Sequence, residues 1–112
     1  MGATELTLER VPDFEVRLGV RFEALFATSE QILATGDIYA TVNGELYSND
    51  GRVLSTDIEI VIAAYDQLGK MLATGSNFVT AAEFFGFHTF SILVQVPNGH
   101  SISRIRIYPK SN

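Results

Sequence analysis

IVIAAYDQLGKMLATG, residues 60–75, is the stretch whose reading decides the fold. Residues 56–65 put Ile58, Ile60, Ile62 and Ala64 on one face and Asp57 and Glu59 on the other, the period of two that marks a half-buried strand. Val61 and Ala63 then make the second face apolar as well, which is the pattern of a strand central in its sheet. Asp66-Gln67-Leu68-Gly69 interrupts the run. Asp66 can accept the amides of a tight turn and Gly69 can take the positive φ that closes it, so residues 70–74 return as a second strand. The stretch reads as a hairpin, and it needs no ligand to explain it.

The same period extends outward in both directions. Over residues 14–26, Phe14, Val16, Leu18, Val20, Phe22, Ala24 and Phe26 alternate with mostly polar residues, which reads as a long strand bent or bulged near Gly19. A helical face made of Phe22, Leu25, Phe26, Ser29, Ile32 and Leu33 competes with it, leaving residues 21–34 open between strand and helix. Residues 37–48 alternate without losing phase across Asn43-Gly44, so that pair sits inside a strand and the turn falls at Ser48-Asn49-Asp50-Gly51. Residues 88–96 form another strand before Pro97-Asn98-Gly99, and residues 102–108 form the last, which Pro109 is expected to end. Six to eight short strands with turns about every ten residues, and no long helix, predict an all-β, antiparallel two-sheet sandwich. One domain spans residues 1–112, with residues 1–12 expected as a loosely attached N-terminal segment.

Composition excludes several functions. The 112 residues contain no cysteine, so there is neither a thiolate nucleophile nor a cysteine metal site. A net charge of −5 opposes nucleic-acid binding, which depends on Lys and Arg contacts to phosphate. The charge is uneven: Glu83 is the only acidic residue after Asp66. No apolar run is long enough to cross a membrane as a helix, and residues 1–10 lack the basic start and apolar run of a signal peptide, so the chain reads as soluble with its compartment unassigned.

Taken in order, ATVNGELYSND, TDIEIVIAAYDQLGKMLATGSN, FHTFSILVQVP and ISRIRIYP resemble the small immunoglobulin-like domains of FxLYD type found in bacterial proteins. The resemblance covers residues 38–108 and rests on Tyr65, Asp66, Gly69, Lys70 and Gly75. Ala63 and Ala64 stand where that pattern has larger residues, and Ala82 to Phe87 replace its Pro-Gly-Glu turn. The resemblance implies an immunoglobulin-like fold serving as a binding or spacing module.

No catalytic motif is found. His88 and His100 accompany no nucleophile elbow, and their spacing is not that of a metal site. Asn49, Asp50, Asp57 and Glu59 are rich in oxygen but lack the order of a calcium loop, and no phosphate-cradling glycine motif occurs. The chain is therefore read as a non-enzyme without cofactor or metal.

The segment from Phe84 to Phe90 stands apart. Four phenylalanines in seven residues cannot all face one core in an extended chain, because neighbours point to opposite faces. Phe84, Phe85 and Phe87, with the outward row Arg104, Arg106 and Tyr108 of the last strand, are the expected interaction surface, and a second copy or another protein is the expected partner. The alternative is a carbohydrate or small-ligand face on Tyr39, Asn43, Glu45 and Tyr47, which share one side of their strand by parity.

Overall fold

The structure, a computed structural model, describes residues 4–111. Two four-stranded sheets pack face to face. One has the order β1 (Thr4–Glu5), β3 (Val20–Gln31), β4 (Ile38–Ser48), β7 (Phe87–Val96); the other β2 (Thr7–Arg10), β8 (Arg104–Ser111), β5 (Ile58–Tyr65), β6 (Met71–Val79). All pairs are antiparallel except β2 with β8, which is parallel, a departure from the wholly antiparallel sandwich expected. The inward residues of both sheets form one core, with Val42, Leu46, Ile60, Ile62, Val96, Ile105 and Ile107 fully buried. Among the described residues no helix is long and apolar enough to cross a membrane.

The hairpin of residues 60–75 forms as the alternation dictates. Asp66 Oδ1 accepts the amides of Leu68 and Lys70, each at 2.9 Å, and β5 lies between β8 and β6. β6 continues to Val79, past the expected end at Thr74, because Ser76 and Asn77 pair with Val61 and Ile60 rather than turning. Gly44 is held inside β4, with Leu25 and Phe90 packed over it: a Cβ there would stand 2.6 Å from Leu25 Cδ2 and 3.0 Å from the Phe90 ring. The Asn-Gly pair therefore makes room for core side chains instead of a turn.

Three expectations are corrected. Residues 14–18 are not strand but part of a helix, α1 (Pro12–Leu18). End signals override the period of two here: Pro12 opens the helix, Asp13 and Glu15 sit in its first turn, Arg17 in its last, and Gly19 closes it with φ 70°. Phe14 and Val16 consequently stay exposed, while Glu15 is buried and takes two hydrogen bonds from the Arg10 guanidinium. Residues 20–31 are strand, and the irregularity lies at Glu23 to Phe26, with Ala24 at φ 56°, rather than at Gly19. Finally, Pro109 lies within β8 opposite Ile60. β2 pairs only as far as Ile107, so beyond it β8 has a neighbour on one side alone, where proline is tolerated.

Residues 4–10 supply an edge strand to each sheet. β1 pairs with Thr28 and Ser29, β2 crosses to the other sheet, and Glu9 contacts both Arg104 and Arg106. Residues 1–3 lie outside the described residues.

Candidate functional site

The register of β3, β4 and β7 arranges the outward side chains of the first sheet in rows. Arg21, Tyr47 and Phe87 form the row at one end, followed by Glu23, Glu45 and Thr89, then Phe26, Asn43 and Ser91. At the opposite end Glu30, Tyr39 and Gln95 align.

In the first row Tyr47 stacks on Phe87, with ring centroids 5.4 Å apart and planes at 19°, and the Arg21 guanidinium lies 4.9 Å from the Tyr47 centroid. Arg21 and Phe87 come from the strands on either side of Tyr47, so both faces of its ring are occupied. Arg21 is fixed in turn by Glu23 at 2.6 Å and by Asn49 Oδ1 at 3.0 Å. The Tyr47 hydroxyl donates to Glu45 Oε1 at 3.2 Å. Partial burial, and then the Glu45 charge and hydrogen bond, push this phenol above its ordinary pKa, so it remains a donor at neutral pH.

Connections bring a second arginine and a second ring to the same end. Thr80 begins a helical turn in which its carbonyl accepts the amides of Glu83 and Phe84, and this swings Phe84 into the core. Phe85 is left outside at 70% exposure. Gly86 then reverses the chain with φ 86°, a conformation that a side chain would strain, and donates its amide to the Arg52 carbonyl at 3.1 Å. The Arg52 guanidinium lies 5.2 Å from the Phe85 centroid. Arg21, Tyr47, Arg52, Phe85 and Phe87 thus form one patch of two arginine-aromatic contacts, bordered by Glu23 and Glu45.

The expected surface is divided by this geometry. Phe85 and Phe87 belong to the patch, whereas Phe84 and Phe90 are buried at 8% and 3%. Arg104, Arg106 and Tyr108 lie on the outer face of the other sheet and are engaged there. The two guanidiniums lie 4.7 and 5.2 Å from the Tyr65 ring, Glu9 Oε1 is 3.2 Å from each, and Phe14 of α1 packs edge-on against Tyr108 at 5.6 Å. Partial burial acts to raise the Glu9 carboxyl, but hydrogen bonding and charge from Arg106 and Arg104 outweigh it and hold it below its ordinary value.

Tyr39, Asn43, Glu45 and Tyr47 do share the outer face of β4. The two tyrosines, eight residues apart, are separated by roughly 27 Å of strand. They cannot grip one sugar together. His88 bonds Asn77 Oδ1 at 3.0 Å across the facing edges of β7 and β6. Asp57 accepts the Ala81 amide at 2.8 Å and Glu59 lies beside Lys110, so the oxygen-rich residues considered for calcium are dispersed. Among the described residues no group of three His, Asp or Glu side chains converges as for a metal. Arg21 and Arg52 were not anticipated from the sequence: Arg21 falls on the polar side of its alternation but the ring it meets depends on register, and Arg52 lies outside any strand.

Compared with known protein families, with curated proteins and with solved structures, the chain shows no match in any of the three.

Proposed function

We propose that the protein is a non-enzymatic interaction module of immunoglobulin-like design that self-associates through the Arg21, Tyr47, Arg52, Phe85 and Phe87 patch. Strand order supports the design. With β3, β4 and β7 lettered A, B and E, and β6, β5 and β8 lettered C′, C and F, the sheets read A-B-E and C′-C-F; β2 fills the edge beside F, but as an N-terminal strand parallel to it rather than as a strand G. The FxLYD resemblance over residues 38–108 points the same way.

The observation that carries the interaction reading lies at one end of the sandwich, where Phe85, 70% exposed, meets Arg52, and Phe87, 50% exposed, stacks on the Tyr47 ring that Arg21 covers. Aromatic residues and arginine are the types enriched at the centres of protein interfaces. A second copy is the favoured partner because the patch carries both signs of charge around its rings, as a twofold contact needs in order to complement itself. The carbohydrate reading loses ground on the same geometry. With Arg21 and Phe87 covering its two faces, Tyr47 has none left for a sugar ring.

Amide hydrogen exchange at low and high protein concentration tests this. Residues 85–91 and the turn at 49–52 exchange more slowly at high concentration if the patch associates. Equal exchange at both concentrations, or slowing confined to the other sheet, contradicts it.

A further inference from the structure

A cleft of about 290 Å³ lies between α1 and the end of β8. Phe14, Leu18, Tyr108 and Pro109 line it with apolar surface, and the exposed cations Arg17 and Lys110 flank it. Pro109 is buried and Leu18 half-buried, and the Phe14 ring is held edge-on to Tyr108. The walls are therefore fixed by the fold. α1 itself is placed by the Arg10 to Glu15 ion pair at its start and by Gly19 at its end.

Charge sets this cleft apart on a chain of net charge −5. Four other surface clefts among the described residues each contain a carboxylate in their lining: Glu5 in one, Glu9 and Asp13 in another, Glu83 and Asp50 in two more. Among the described residues the α1 to β8 cleft is lined by no carboxylate, and Arg17, Lys110 and Ser111 share its lining with the apolar side chains. Lys110, 63% exposed at its side chain, also lies 4.0 Å from Glu59 Oε1. At about 30 Å³ for each water-sized group, the volume accommodates roughly ten non-hydrogen atoms.

We propose that this cleft binds a small amphiphilic carboxylate, an aryl or short alkyl body with one terminal anion. The apolar body lies against Phe14, Leu18, Tyr108 and Pro109, and the carboxylate turns out toward Arg17 and Lys110. Aromatic edges and aliphatic walls take the body, while two guanidinium and ammonium donors take the charge at the solvent boundary. With so few atoms and an anion close to water, the dissociation constant expected is on the order of 1 mM.

The test is a titration of the isotope-labelled protein with phenylacetate, followed by backbone amide shifts, with neutral phenylacetamide and the R17Q/K110Q variant alongside. Saturable shifts clustered at Phe14, Leu18 and residues 108, 110 and 111 are expected, with binding about fivefold weaker for the amide and for the variant, the scale of an exposed ion pair. Thermal melting of the variant checks that it keeps the fold. Absence of saturable shifts, shifts scattered over the surface, or equal affinity for acid and amide would overturn the proposal. Because the readout lies on the second sheet, it stands or falls separately from self-association at Tyr47 and Phe87.

Discussion

Tyr47 and Phe87 are direct cross-strand partners in β4 and β7, and their rings stack at 5.4 Å with Arg21 on the far side of the tyrosine. This row turns an ordinary sheet surface into a patch, because it fixes a half-exposed phenylalanine in one orientation beside Phe85. A double-mutant cycle with Tyr47→Ala and Phe87→Ala should give a coupling of about 0.5–1.5 kcal/mol in urea unfolding, run at a concentration where only monomer is present. A coupling near zero would mean that the two rings do not hold each other.

The phenylalanine segment should divide sharply in its energetics. Phe84→Ala removes a buried ring and should cost about 3–5 kcal/mol of stability. Phe85→Ala, at a residue 70% exposed, should stay within about 0.5 kcal/mol of the parent. Chemical denaturation of the two variants reads both values.

Gly44 tests the core side of β4. Its substitution by Ala forces Leu25 and the Phe90 ring to shift, and a loss of about 1–3 kcal/mol is expected, against a small change for the neighbouring exposed Asn43→Ala.

The pH dependence of the N-terminal strand follows from Glu9. Its folded pKa lies below the ordinary 4.5, so the charged form binds Arg104 and Arg106 at neutral pH. That contribution is complete above 4.5 and is lost as pH falls through the folded value. Thermal melts of the parent and of Glu9→Gln should differ at neutral pH and converge in acid. A difference that persists or grows in acid would contradict the assigned sign.

Much of the sandwich was legible because alternation reports burial directly. The runs Ile58 to Ala64 and Phe90 to Val96 could only be strands with one face in a core, and the Asp66 to Gly69 turn carried its own chemistry. Phe14 to Leu18 misled for a physical reason. Period-two hydrophobicity over five residues is weaker evidence than Pro12 before it, Gly19 after it and an acid in the first turn, and Glu15 is buried through Arg10 in a way no alternation can anticipate. The patch was half legible. Parity showed that Phe85 and Phe87 could not both be buried with Phe84 and Phe90, but Arg21 meets the Tyr47 ring through the pairing of β3 with β4, and Arg52 meets Phe85 beside the hydrogen bond between Gly86 and Arg52. Arg104, Arg106 and Tyr108 looked like an open row because nothing in their own strand shows that Glu9, Tyr65 and Phe14 cover it.

The solution mass measured by sedimentation equilibrium over a wide range of protein concentration tests the central claim most directly, with the F85S/F87S variant run in parallel. The account predicts that the parent rises to the mass of two chains while the variant remains at one, still folded when dilute and with its melting lowered only by the loss of the Tyr47–Phe87 stack. A parent that stays at the mass of one chain up to its solubility limit, or a variant that dimerises as well as the parent, would contradict it.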